Sequence, residues 1–133
     1  MTRFVVHADA VLALAERDFT SHPDHQLVAP TLVRSQTLSA LYQAVRRGEL
    51  TEPEAKRRLD VVTTMPMRLL GDRVLKSKAW RIAADLGWPD TYDAEYVALT
   101  QLQADAFITT NTELAAAVEG LVVTAPLSVL LDR

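Results

Sequence analysis

Four short segments of this 133-residue chain carry side chains suited to acid–base or metal chemistry. They are His7-Ala8-Asp9, Gln36, Tyr92-Asp93 and Thr109-Thr110-Asn111, with Glu113 two residues further on. Asp9, Asp93 and Glu113 offer carboxylates, the hard oxygen donors that Mg²⁺ and Mn²⁺ prefer. His7 offers a softer nitrogen, which suits Mn²⁺ or Zn²⁺ better. Each residue also has an ordinary structural reading. Asp9 and Asn111 are good helix N-caps. Glu113 and Asp93 fall in helix first turns, where negative charge suits the dipole. His7 can hydrogen-bond at a strand end, and Gln36 within a pocket.

Other candidates are weaker. His22, Asp24 and His25 share a loop, but it lacks a fourth ligand and contains Pro23. The four glycines do not cluster, so there is no phosphate loop. Ser35 and Ser39 lack the strand–turn–helix context of an activated serine. Trp80 and Trp88 read as core or as a partner surface.

The elements that must position the four segments follow from periodicity. Phe4–Ala8 reads as a short buried strand and Ala10–Glu16 as a helix. Residues 21–25 form a loop, Leu27–Ala29 a second strand closed by Pro30. Leu38, Leu41, Tyr42 and Val45 form one apolar stripe, predicting a helix that Gly48 ends. Thr51 to Glu54 has capping-box spacing for the next helix, with Ala55, Leu59 and Val62 inside. Arg68–Leu70 suits a strand. Asp72 caps a helix that buries Leu75, Ala79, Ile82 and Leu86, and Gly87 stops it. Thr91 caps a helix to about Gln103; Ala106–Thr109 is a strand, Asn111 caps a short helix, and Leu121–Thr124 is the last strand. Strands alternating with helices predict an α/β fold: one domain over 1–133 with a mainly parallel sheet of about five strands in three α/β/α layers. In such sheets function gathers at the carboxyl edge, which is where the four segments fall.

Composition narrows the class. There is no cysteine, so disulfides and thiolate metal sites are excluded, and a cytoplasmic setting is permitted. No apolar run reaches the roughly 20 residues of a membrane span, and the apolar start is too short for a signal peptide. The net charge of −3 is not that of a general nucleic-acid binder. Yet residues 46–81 hold ten Lys/Arg against five Asp/Glu, and residues 82–133 hold one against eight. Either a phosphate-attracting surface lies beside an acidic pocket, or two solvated faces differ in sign.

The four segments resemble the signatures of the PIN-domain family, as found in VapC toxins, in family order and over nearly the whole chain. Val5 to Leu14 is similar to the family's strand, acidic turn and apolar helix. Ala29-Pro30-Thr31-Leu32 with Gln36 and Ala40-Leu41 is similar to the segment bearing a helix glutamate. Tyr92-Asp93-Ala94-Glu95-Tyr96-Val97-Ala98-Leu99 is the best match, and Phe107-Ile108-Thr109-Thr110-Asn111 is similar to a strand ending in Thr-x-Asp. Arg46 to Leu50 resembles a common helix ending.

The resemblance implies a metal-dependent endoribonuclease in which acidic residues hold Mg²⁺ or Mn²⁺ for hydrolysis of an RNA phosphodiester. It also implies a small antitoxin partner covering the helices of residues 35–62, and a homodimer. In the best register, however, His7 replaces the first Asp, Gln36 the Glu and Asn111 the last Asp, leaving Asp93. Asp9 and Glu113 are positioned to compensate. The expected site therefore has Asp93 and Asp9 as catalytic residues; Asp93, Asp9 and Glu113 as metal ligands; and His7, Gln36, Thr109 and Asn111 as pocket lining. The alternative is a catalytically silent PIN domain that binds RNA or protein, because a site short of three charges holds Mg²⁺ weakly.

Overall fold

The computed structural model describes every residue except 18, 20, 21, 132 and 133. Of the predicted loop at 21–25, Ser21 lies outside the described residues. The elements run β1 (Thr2–Val6), α1 (Ala8–Ala15), β2 (His25–Pro30), α2 (Leu32–Arg46), α3 (Glu52–Thr64), β3 (Arg68–Leu70), α4 (Arg73–Leu86), α5 (Tyr92–Gln103), β4 (Ala106–Ile108), α6 (Thr112–Ala117), β5 (Thr124–Ala125) and α7 (Ser128–Leu131).

The five strands form one sheet in the order β3-β2-β1-β4-β5, and every pairing is parallel. Parallel neighbours require crossovers, and crossovers are right-handed. The chain moves outward from β1 to β2 and β3, then returns to β4 and β5 on the other side of β1. Reversing direction moves the helices to the opposite face. The packing agrees: α1 contacts α2 and α3, whereas α4 pairs with α5. The result is the three-layer α/β/α arrangement, with Val5, Val6, Val28, Phe107 and Ile108 fully buried between the helices. No helix of the described residues is long and apolar enough to cross a membrane.

Several boundaries depart from the sequence reading. β1 stops at Val6, not Ala8, because His7 becomes the N-cap of α1. β5 sits at Thr124–Ala125, three residues later than its predicted start. Thr91 occupies the cap position of α5, but its side chain makes no capping bond. The larger departure concerns α2. Its buried residues are Val33, Thr37 and Leu41, while Leu38 is 53 % and Tyr42 63 % exposed. Leu38 and Tyr42 of the apolar stripe thus look outward, into a groove of about 390 Å³ shared with Ala55 and Leu59 of α3, while Leu41 is buried. Gly48 and Gly87 lie at φ +75° and +69° just after α2 and α4, the left-handed C-terminal geometry that glycine adopts without cost.

Candidate functional site

The strand order reverses between β1 and β4, and parallel sheets offer their crevice at the carboxyl end of such a switch point. His7 follows β1, and its backbone N–H still bonds Ile108 O at 2.9 Å, continuing the ladder by one rung. Thr109, Thr110 and Asn111 follow β4 beside it. α5 begins at Tyr92 and brings Asp93 over the same edge. The long crossovers bring together side chains separated by up to a hundred positions.

His7 is the centre of the cluster. Its Nε2 lies 2.8 Å from Asp93 Oδ1 and its Nδ1 3.1 Å from Asp9 Oδ2. The imidazole is 14 % exposed, Asp9 25 % and Asp93 44 %. Burial alone would depress the imidazolium, but the hydrogen bonds and charges of Asp9 and Asp93 reverse this and raise its pKa to about 9. Asp9 responds in the opposite sense. Burial would raise its carboxyl, yet bonds to His7 and Thr109, the His7 charge and the Thr110 N–H hold it below its ordinary value.

Two contacts of Nδ1 exclude each other. The ring accepts the Asp9 backbone N–H at 3.1 Å only when Nδ1 is bare, and donates to Asp9 Oδ2 only when Nδ1 is protonated. With a pKa of about 9 the ring is cationic near neutrality, so the second arrangement holds there. Nε2–H donates to Asp93 in either state.

The remaining groups are also engaged. The Thr109 hydroxyl donates to Asp9 Oδ2 at 2.6 Å, and the Thr110 N–H donates to Oδ1 at 2.9 Å. Asn111 Oδ1 accepts the N–H groups of Glu113 and Leu114 at 3.0 and 3.1 Å, so it caps α6. Gln36 Oε1 accepts from the Tyr96 hydroxyl at 2.5 Å. Glu113 is exposed in the first turn of α6, and its carboxylate enters none of these bonds.

Sequence reasoning singled out His7, Asp9, Gln36, Asp93, Thr109 and Asn111, and the fold gathers them at one edge. Tyr96 was missed as a site residue. It is fully buried, its ring lies 4.5 Å from His7 at 39°, and burial holds its phenol well above the ordinary range. The signal was its spacing, since Tyr92, Asp93 and Tyr96 lie within one helical turn and Tyr96 faces inward. The His22–His25 pair stays apart from this cluster; their rings lie 5.0 Å from each other, and His22 Nδ1 accepts the Asp24 N–H.

Could this donor set hold a divalent cation? Mg²⁺ demands near-octahedral oxygen ligands. Here Asp9 spends its oxygens on Thr109, Thr110 and His7, and the imidazole occupies the space between Asp9 and Asp93 with both nitrogens engaged. Gln36 and Asn111 spend theirs on Tyr96 and α6. Among the described residues no three His, Cys, Asp or Glu side chains converge to hold a metal ion. As arranged, the residues do not fit one.

No protein-family model and no curated protein matches the chain. Solved structures do. A chain of PAE2754 from Pyrobaculum aerophilum superposes with a TM-score of 0.74 at 25 % identity, over 98 % of this chain and 93 % of that one. A chain of VapBC-1 from nontypeable Haemophilus influenzae gives 0.65 at 13 % identity, over 95 % and 98 %. A chain of VapBC2 from Rickettsia felis, solved bound to a DNA fragment from its promoter, gives 0.66 at 7 % identity, over 93 % and 98 %. The chain therefore has the PIN/VapC-like three-layer fold of these structures.

Proposed function

We propose that the chain is a VapC-like PIN domain of the toxin–antitoxin kind, working as an RNA- and antitoxin-binding module whose pocket is held by an internal cation. The observation that carries this reading is the His7 ring set between the Asp9 and Asp93 carboxylates, at 3.1 and 2.8 Å. A fixed positive charge there neutralises the carboxylates that would otherwise recruit a metal.

The antitoxin part rests on the groove between α2 and α3. Leu38, Leu41, Tyr42, Val45, Ala55 and Leu59 line it, with Arg46, Glu52 and Lys56 at its rim. Apolar anchors at helical spacing with a charged rim suit a partner's amphipathic helix. Likeness to two VapBC structures supports the same reading. Homodimerisation and a cytoplasmic setting belong to it.

A second reading, a metal-dependent endoribonuclease hydrolysing phosphodiesters, is favoured by the half-exposed Asp93 carboxylate at the carboxyl edge. The two separate in one experiment. Titrate wild type and His7→Asp with Mg²⁺ and Mn²⁺ by calorimetry, and assay a labelled RNA for cleavage with and without chelator. The binding-module reading expects no divalent binding by the wild type, RNA bound but uncut whatever the chelator, and divalent binding gained in His7→Asp. Divalent-dependent cleavage lost in Asp93→Asn would overturn it in favour of the nuclease.

A further inference from the structure

The excess of basic residues in 46–81 is not spread evenly once the fold is known. Just after α2 and on α3 it is consumed locally, although Arg46 and Arg68 form no ion pair among the described residues. Arg47 pairs with Glu49, Lys56 with Glu52, Arg57 with Glu54, and Arg58 with Glu54 and Glu16. On α4 it is not. Arg73, Lys76, Lys78 and Arg81 form no ion pair among the described residues. Their acidic neighbours are few. Asp72 is spent capping α4 through Leu75 N, Glu95 lies near Lys76, and Asp85 comes one turn after Arg81.

These four cations line an open groove of about 990 Å³ together with Val74, Ser77, Trp80 and Leu102. Among the described residues no carboxylate lines it. Trp80 is 73 % exposed and Val74 60 %. An indole left in water on a core-buried helix is unusual, since tryptophan is highly buried on average. Arg73, Ser77, Trp80 and Arg81 fall at i, i+4, i+7 and i+8, a single outward stripe opposite the buried Leu75, Ala79 and Ile82. An exposed aromatic among unneutralised cations is the combination that grips single-stranded nucleic acid: the cations track phosphates and the ring stacks a base. A second copy of this chain is disfavoured as occupant, because four like charges would face four.

We propose that the α4 face, with Trp80 as stacking platform and Arg73, Lys76, Lys78 and Arg81 as phosphate contacts, is a binding site for single-stranded RNA. This rests on the reading of the chain as an RNA-binding PIN domain, and adds to it a place away from the Asp9–His7–Asp93 cluster.

The test is fluorescence anisotropy with a labelled single-stranded oligouridine, on folded wild type, Trp80→Ala, Trp80→Phe and the double variant Lys76→Ala/Arg81→Ala. Losing one stacked base should weaken binding about ten-fold in Trp80→Ala, with most of it recovered in Trp80→Phe. The double variant should weaken binding and lower the salt slope by roughly 0.7 per lost phosphate contact. Tight binding by the wild type that Trp80→Ala and the double variant leave unchanged would overturn the α4 site while sparing the RNA-binding reading. No binding by any form would overturn both. Sedimentation that turns a wild-type dimer into a monomer on Trp80→Ala, with RNA binding unaffected, would make this face a protein interface instead.

Discussion

The Tyr96 hydroxyl donates to Gln36 Oε1 at 2.5 Å, joining α5 to α2 across the edge of the sheet. Both ends of this bond matter, because the Tyr96 ring also lies beneath His7. Tyr96→Phe keeps the ring and removes the donor, leaving a half-buried amide oxygen unpaired. The expected cost is about 1–3 kcal/mol of folding stability, read by chemical denaturation. A loss below the error of that measurement would mean that water replaces the hydroxyl freely.

Stability should depend on pH through His7. Its folded-state pKa is raised from 6.5 to about 9. A raised pKa means that the folded state holds the proton more tightly, so its contribution is complete below pH 6.5 and is lost as the pH rises through 9. The melting temperature of the wild type, measured against that of His7→Gln, should therefore fall between these values. A difference that stays flat across the window would show that the imidazole is not bound as a cation.

Asp9→Asn tests the same pair from its partner. The amide can still accept the Thr109 hydroxyl, but it no longer offers a charge to the ring. The His7 titration midpoint, followed by proton NMR of the imidazole, should then drop below the wild-type value of about 9. An unchanged midpoint would assign the shift to Asp93 alone.

Asn111 separates capping from metal binding. Asn111→Ala removes both bonds to the N–H groups of Glu113 and Leu114 and should cost about 1 kcal/mol. Asn111→Asp keeps the cap and adds a charge favourable to the helix dipole, so its stability should equal or slightly exceed that of the wild type. Thermal melts of the two variants decide the matter, and equal losses in both would rule out the capping role.

The α2–α3 groove should be dispensable for folding. Leu38→Asp and Tyr42→Ser alter side chains that are more than half exposed, so each should move stability by only about 0.5 kcal/mol. Binding of a hydrophobic dye to the native protein should fall in the double variant. A large loss of stability instead would place these side chains in the core, as their periodicity alone suggested.

By itself the sequence determined the architecture. Buried β-branched strands such as Phe4 to Val6 and Phe107 to Ile108, separated by capped helices, leave a covered parallel sheet as the way to bury both faces. Asp72, Thr51 and Asn111 announced their helices because a cap is a local bond between neighbours in the chain. The sequence also named most of the residues at the carboxyl edge. What it left open was how they pair. Whether His7, Asp9 and Asp93 would surround an ion or bond one another depends on distances between side chains as far apart in the chain as His7 and Asp93, 86 positions, which no local pattern encodes. The exposure of Leu38, Tyr42 and Trp80 was undecided for the same reason. A helix's apolar stripe shows what could be buried, but only the packing of α1 on α3, and of α4 on α5, decided which side chains were covered and which were left exposed.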